Sequence, residues 1–330
     1  MMILPWHTKQ WEIFQASLLN NKMAHAYLLI GVPGLGKSEF AINMARFLLC
    51  KTENSCEQCQ SCLLFKSQTH PDYKFITPEA ESKVIKISQI RELNEFVVQT
   101  SQIAKYKVIC ILPAEAMNKA AANALLKTLE EPARNTIIIL VSGQASKLPA
   151  TVRSRCQLIK FNLPPENLSL SWLSQKLPTD QTPVLLKLAY GAPLKALEIY
   201  QSVEFASRAK WFNDWQEWQS GKLSFSNFVS GWQQQPLEVL LNNLLSWLID
   251  LLQLQITCNK QFVINIDFID SLSQLSRELD TKALVKYIGY LQEKNNLLQG
   301  QISINPQLLL EEVLIKWLAV IRTRERADVS

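Results

Sequence analysis

Gly31-Val32-Pro33-Gly34-Leu35-Gly36-Lys37-Ser38 decides how the first half of this chain folds. The run fits G-x-x-x-x-G-K-[ST], in which backbone N–H groups wrap a phosphate, the lysine reaches the outer phosphates and the hydroxyl meets magnesium. Ala26 to Ile30 precede it as an apolar run short enough for a buried strand. Glu39 to Leu49 follow with apolar residues at helical spacing. The loop therefore sits where a strand hands over to a helix N-terminus, whose free N–H groups and dipole favour an anion. Gly31, Gly34, Gly36, Lys37 and Ser38 are the candidate nucleotide-binding residues, with ATP and magnesium as the ligands that such a cradle takes. A loop that keeps the shape but holds no nucleotide is the competing reading.

Immediately after the first helix come Cys50, Cys56, Cys59 and Cys62, spaced C-x5-C-x2-C-x2-C. In a reducing compartment this cluster calls for a metal rather than for disulfides. Four thiolates fill the tetrahedral shell of zinc, so a structural site with no open position is expected. The residues between them read as polar loop. His70, in the turn Thr69-His70-Pro71-Asp72, is then left for a hydrogen bond rather than for the metal. Cys110 and Cys258 read as buried small hydrophobes.

The chain continues as alternating strands and helices, which implies a parallel sheet. Tyr73–Ile76, Lys107–Leu112, Thr136–Ser142 and Gln157–Phe161 are the further strands. Ser88 is read as the N-cap of a helix carrying Ile90, Leu93, Val97 and Val98, and Asn118 as the cap of one ending before Pro132. A nucleotide-hydrolysing protein of this kind carries acids at the end of a strand such as Lys107–Leu112, one for magnesium and one for the attacking water. Here Leu112-Pro113 stand instead, and Glu115, beyond the proline, reads as a solvated turn residue.

Composition sets wider limits. The chain has 330 residues, enough for two or three domains, and 48% hydrophobic residues exclude extensive disorder. A net charge of +5 permits nucleic-acid work without arguing for it. The N-terminus lacks the pattern of a signal peptide. The most apolar stretch, Leu237–Ile256, contains Glu238, Asn242, Asn243 and Asp250 and reads as a buried helix rather than a membrane span. A cytoplasmic protein is expected. Trp211, Trp215 and Trp218 recur at helical spacing and read as core or subunit contact.

Taken together, His25-Ala26-Tyr27, the four cysteines, Thr69-His70-Pro71-Asp72, Asn123 to Pro132 (NALLKTLEEP) and Ser154-Arg155-Cys156 resemble the clamp-loader branch of the AAA+ ATPases, and within it the delta prime family of bacterial DNA polymerase III subunits. The match is dense to about Phe161 and weaker beyond. The resemblance implies an α/β P-loop AAA+ domain with a parallel sheet and zinc-binding insertion over 1–164. A small helical lid follows over 165–207, and an all-α C-terminal collar for oligomerisation over 208–330. It also implies that Arg155 acts in trans as an arginine finger on an adjacent ATPase subunit. The implied partners are the gamma/tau and delta subunits, the sliding clamp and, through the complex, primed DNA. The gamma/tau motor shares most of these motifs. Leu112, Pro113 and Leu194 stand where it has acids and a phosphate-sensing arginine, which places this chain with the non-hydrolysing members. An ATP-hydrolysing gamma/tau-like motor and a zinc-containing nucleic-acid-binding module are the alternatives.

Overall fold

The computed structural model describes residues 3–79, 82–298 and 305–327, the side chains of 322–327 excepted. Met1 and Met2, part of the N-terminal pattern read above, lie outside them. The chain divides into two compact units: Met1–Trp172 with Gly191–Lys195, and Leu173–Tyr190 with Ala196–Ser330.

The first unit runs α1 (Thr8–Leu19), β1 (Ala26–Ile30), α2 (Lys37–Leu49), α3 (Gln60–Lys66), β2 (Tyr73–Ile76), α4 (Ile87–Val98), β3 (Lys107–Ile111), α5 (Lys119–Glu130), β4 (Thr136–Ser142), α6 (Ala150–Arg153) and β5 (Gln157–Lys160). The helix α7 (Glu166–Leu173) follows at its end. The expected parallel sheet is present, in the order β2-β3-β4-β1-β5. Strands β3 and β4 are buried along their whole length, as continuous Val/Ile/Leu runs in a sheet covered on both faces should be. One face packs Phe14, Phe40, Met44 and Leu48 against Tyr27, Leu29, Cys110 and Ile139. The other packs Ile90, Leu93, Leu125 and Leu129 against Leu28, Ile109, Ile111 and Leu140. Asn118 caps α5 as expected, its Oδ1 accepting the Ala121 N–H at 2.8 Å. Helix α4 starts earlier than the Ser88 cap predicts. Lys86 is its N-cap, and Gln89 reaches back so that its Oε1 accepts the Lys86 N–H at 2.9 Å.

The second unit is helical among the described residues: α8 (Thr182–Leu188), α9 (Pro193–Tyr200), α10 (Val203–Gln219), α11 (Phe225–Trp232), α12 (Leu237–Thr257), α13 (Ile269–Ser276), α14 (Thr281–Leu298) and α15 (Pro306–Ala327). The first residues of α9 belong to the first unit. Trp211, Trp215 and Trp218 are buried in one core with Trp232, Trp247 and Trp317. Helix α12 is long and apolar enough to cross a membrane by length and composition. It nevertheless packs within this core, and its Asp250 is fully buried, accepting the N–H groups of Ile264 at 2.9 Å and Asn265 at 2.7 Å. A carboxylate so satisfied ties α12 to the loop before α13. Arg208 of α10 is held in the same region by Asp267 and Asn265, with its guanidinium over the Phe268 ring. Cys258 departs from its expected burial: it is exposed, as the left-handed C-cap of α12 at φ 51°.

Candidate functional site

The phosphate-loop sequence folds as a loop between β1 and α2, with Gly34 and Gly36 at φ 79° and 81°. A side chain at either position would be strained. A Cβ on Gly34 would also lie 2.5 Å from the Cβ of Lys195, whose neighbour Leu194 donates its N–H to the Gly34 carbonyl at 3.1 Å. The Leu194 side chain packs near Gly36. Lys37 is buried, and its Nζ donates to the Val32 carbonyl at 2.8 Å. Burial lowers its pKa, and the carboxylates of Glu115 and Glu39 work against that shift.

Two residues far upstream hold the loop from behind, and the sequence reading missed both. Trp6 Nε1 donates to the Leu35 carbonyl at 2.9 Å, and His7 Nε2 meets the same oxygen at 2.7 Å. No local pattern marks them, because the partner lies 28 or 29 residues away. His7 is buried, and burial lowers its pKa to about 4 despite the bond to Leu35. Its unfolded value is 6.5, so the native state binds fewer protons and the contribution is full above that pH. It is lost as pH falls through 4, and by pH 5 the loss is about 2 kcal/mol. Urea unfolding of the chain between pH 7.5 and 5 should therefore show a stability decline that His7→Gln reduces; parallel declines in both proteins would remove His7 as the cause.

The strand-end acids are absent as expected: β3 ends at Ile111, followed by a half-buried Leu112 and an exposed Pro113. Glu115 corrects the sequence reading. It is a half-buried residue, not a solvated one, and its Oε1 accepts the N–H groups of Gly143 at 2.8 Å and Gln144 at 3.2 Å.

The sulfur atoms of Cys50, Cys56, Cys59 and Cys62 lie within 4.8 Å of one another. Four thiolates 2.3 Å from a tetrahedral zinc would stand about 3.8 Å apart. The Cys50 and Cys56 sulfurs are 3.6 Å apart, close to that spacing. Cys56, Cys59 and Cys62 each direct a backbone N–H to the sulfur of the preceding cysteine, at 3.4, 3.4 and 3.5 Å. Such donors orient and stabilise ligating thiolates. The cluster could therefore hold a metal ion. Its last cysteine is helical rather than in a loop, since Cys59 caps α3 and Cys62 lies in its first turn. His70 stays outside the cluster. Its Nε2 meets Ser61 Oγ at 2.6 Å and its Nδ1 accepts the Asp72 N–H at 3.0 Å. Ser61 in turn donates to the Leu49 carbonyl at 2.5 Å. Asp72 is fully buried, which alone would raise its pKa. The N–H groups of Gln102, Ile103 and Ala104 outweigh burial and hold it below the usual range.

Arg155 follows α6 at the entrance to β5 and is part-exposed, with 35% of its side chain accessible. Its Nη1 donates to the Thr151 carbonyl at 2.9 Å, and its Nη2 pairs with Glu130 Oε1 at 2.7 Å. The sequence reading missed Glu130, which brings the last residue of α5 to the arginine. The same turn is fixed from the other side by His25, whose Nε2 meets the Leu129 carbonyl at 3.0 Å. Cys156 is packed inward, and burial pushes its thiol up to about 11.

Residues 6–165 match the family described as DNA polymerase III, delta subunit, and residues 204–319 match its C-terminal family. DNA polymerase III subunit delta' of Pseudomonas aeruginosa is 34% identical over 96% of this chain and 98% of its own length. The subunit delta' of Escherichia coli is 30% identical over 94% of both chains. Among solved structures, a DNA polymerase III gamma subunit-related protein of Thermotoga maritima aligns at 17% identity with a TM-score of 0.41. That alignment covers 86% of this chain and 99% of the other. The family assignment rests on the sequence relatives.

Proposed function

The chain belongs to the DNA polymerase III delta' family, and on that premise we propose that it is the non-hydrolysing subunit of a clamp loader, lending Arg155 to a neighbouring ATPase subunit. The observation that carries this reading is a pairing within one domain. The strand end beside the phosphate loop has Leu112-Pro113 where two carboxylates are needed, while Arg155 presents a guanidinium at the surface. Chemistry at the chain's own cradle then lacks the group that polarises water. Chemistry next door gains a cation for the charge that develops on the transferring phosphoryl group. Arginine suits this task because its planar fork can keep one edge on Thr151 and Glu130 and turn the other to phosphate oxygens.

The other assignments follow from the same reading. Residues 1–164 form the AAA+ domain, 165–207 a lid and 208–330 a collar that joins the other subunits. The partners are gamma/tau and delta, and the assembly opens the sliding clamp for loading on primed DNA in the cytoplasm. Zinc is the metal of Cys50, Cys56, Cys59 and Cys62, with a structural role. Gly31, Gly34, Gly36, Lys37 and Ser38 hold ATP without cutting it. Magnesium, if bound with the nucleotide, would supply charge neutralisation, and Ser38 is the loop residue that would meet it.

Two measurements test the central claim. The purified chain alone should hydrolyse ATP at less than about a hundredth of the rate of the complete loader. A loader reconstituted without this chain should fail to place clamps on primed DNA until the chain is added back. Turnover by the isolated chain at motor rates would make it a gamma/tau-like motor instead.

A further inference from the structure

A carboxylate does reach the phosphate-loop end of the sheet, but from beyond the strand rather than from its end. Glu115 lies in the single turn Ala114–Ala116 that follows β3 and Pro113. Its Oε1 is fixed by the N–H groups of Gly143 and Gln144, the two residues after β4, and β4 is the direct neighbour of β1. A Cβ placed on Gly143 would lie 3.3 Å from that oxygen and 3.6 Å from Cγ of Pro33, inside the phosphate loop. Gly143 is thus a thin spacer between Glu115 and the loop: a side chain there would press on the carboxylate oxygen and sit in ordinary contact with Pro33. The carboxylate also acts on the Lys37 ammonium, favouring its charged form against burial. The other oxygen, Oε2, is buried and accepts no hydrogen bond among the described residues. An orphaned buried acceptor costs on the order of 1–3 kcal/mol, so a role that satisfies it is called for.

We propose that Glu115 is the carboxylate through which this chain retains a hydrated magnesium ion with a nucleoside triphosphate, replacing the acids missing at positions 112 and 113. The inference rests on reading the loop as a triphosphate cradle and is independent of Arg155. Magnesium keeps several of its waters, so a carboxylate oxygen can serve it by accepting from one of them. Oε2 is the oxygen left for this, because Oε1 is committed to two backbone donors. Those donors also hold the carboxylate in place before any ligand arrives. One oxygen that accepts from a metal-bound water has no second partner with which to polarise an attacking water. The arrangement therefore retains a nucleotide in a magnesium-dependent way and does not turn it over.

The test is calorimetric titration of the purified full chain with ATP, once with magnesium and once with EDTA. Wild-type protein should bind at least tenfold more tightly with magnesium. Glu115→Gln, which keeps the shape and an acceptor for Gly143, should bind ATP equally in both buffers, at about the wild-type EDTA affinity. Its melting temperature without nucleotide should match the wild type; if it does not, Glu115→Asp, which keeps the charge but withdraws it, is titrated in its place and should lose most of the magnesium advantage. A magnesium advantage that survives these substitutions overturns the proposal while leaving the cradle reading intact. Equal wild-type binding in the two buffers overturns it as well. No ATP binding in either buffer overturns both the proposal and the cradle, and leaves the role of Arg155 untouched.

Discussion

Replacing Arg155 with alanine should cut ATP turnover at the neighbouring site by about 10³-fold, because a finger in trans stabilises charge that exists only in the transition state. Binding of ATP to the neighbour should change little, so the loss falls on kcat rather than KM. The isolated chain should be nearly indifferent. The pair with Glu130 is part-exposed on both sides, and such pairs contribute about 0–1 kcal/mol. Melting temperature and co-elution with the other subunits should therefore stay as in the wild type. Arg155→Lys should recover little, since a point charge cannot hold Thr151 and Glu130 on one edge and phosphate on the other. Single-turnover hydrolysis by the reconstituted loader, with size-exclusion as the control for assembly, measures all of this. Unchanged turnover in an intact assembly would end the finger assignment.

The second large effect concerns the cysteines. Elemental analysis should find one zinc per chain, and a strong chelator should remove it. Structural zinc sites supply roughly 10–16 kcal/mol of apparent binding energy in small peptides, so the 50–66 segment should lose its fold when the metal goes. The damage should spread in a definite direction. Ser61 links α3 to the Leu49 carbonyl and to His70, and Arg46 of α2 pairs with Glu57 at 2.7 Å. Hydrogen exchange should rise over 50–72 after chelation, while β3 and β4, buried throughout, keep their protection. Cys59→Ser should reproduce the pattern without chelator. A protein that carries no zinc and still protects 50–72 would contradict the structural-metal role.

The strand–loop–helix around Gly34 was legible in the sequence because its signals are local: an apolar run, glycines where φ is positive, then helical spacing. The cysteine cluster was legible for the same reason, since three of its cysteines fall within seven residues. Asn118 was readable as a cap because its partner is three residues on. What escaped needed the tertiary fold. Glu115 read as a turn residue until β4 was laid beside β3 and brought Gly143 to it. Trp6 and His7 carry no motif; only the packed domain puts them on the Leu35 carbonyl. The start of α4 was misplaced because Lys86 is not a capping type and the bond comes from Gln89. Cys258 was misplaced because its apolar helix ends one residue before it. Glu130 sits inside a motif that was quoted, but its ion pair with Arg155 spans 25 positions, across β4 and α6.

The tryptophan core of the second unit also decides what an optical experiment on this protein can see. Six of the nine tryptophans share one cluster, with Trp215 only 5.4 Å from Trp247 and 5.6 Å from Trp317. Excitation absorbed by any of these indoles will migrate among them, so the intrinsic emission is dominated by the helical C-terminal region. The four cysteines and the phosphate loop lie in the other unit, which holds Trp6, Trp11 and Trp172, and Trp6 donates to the Leu35 carbonyl of the loop. Fluorescence melts will pass over metal removal or nucleotide addition there unless the C-terminal indoles are replaced, which leaves Trp6, Trp11 and Trp172 to report.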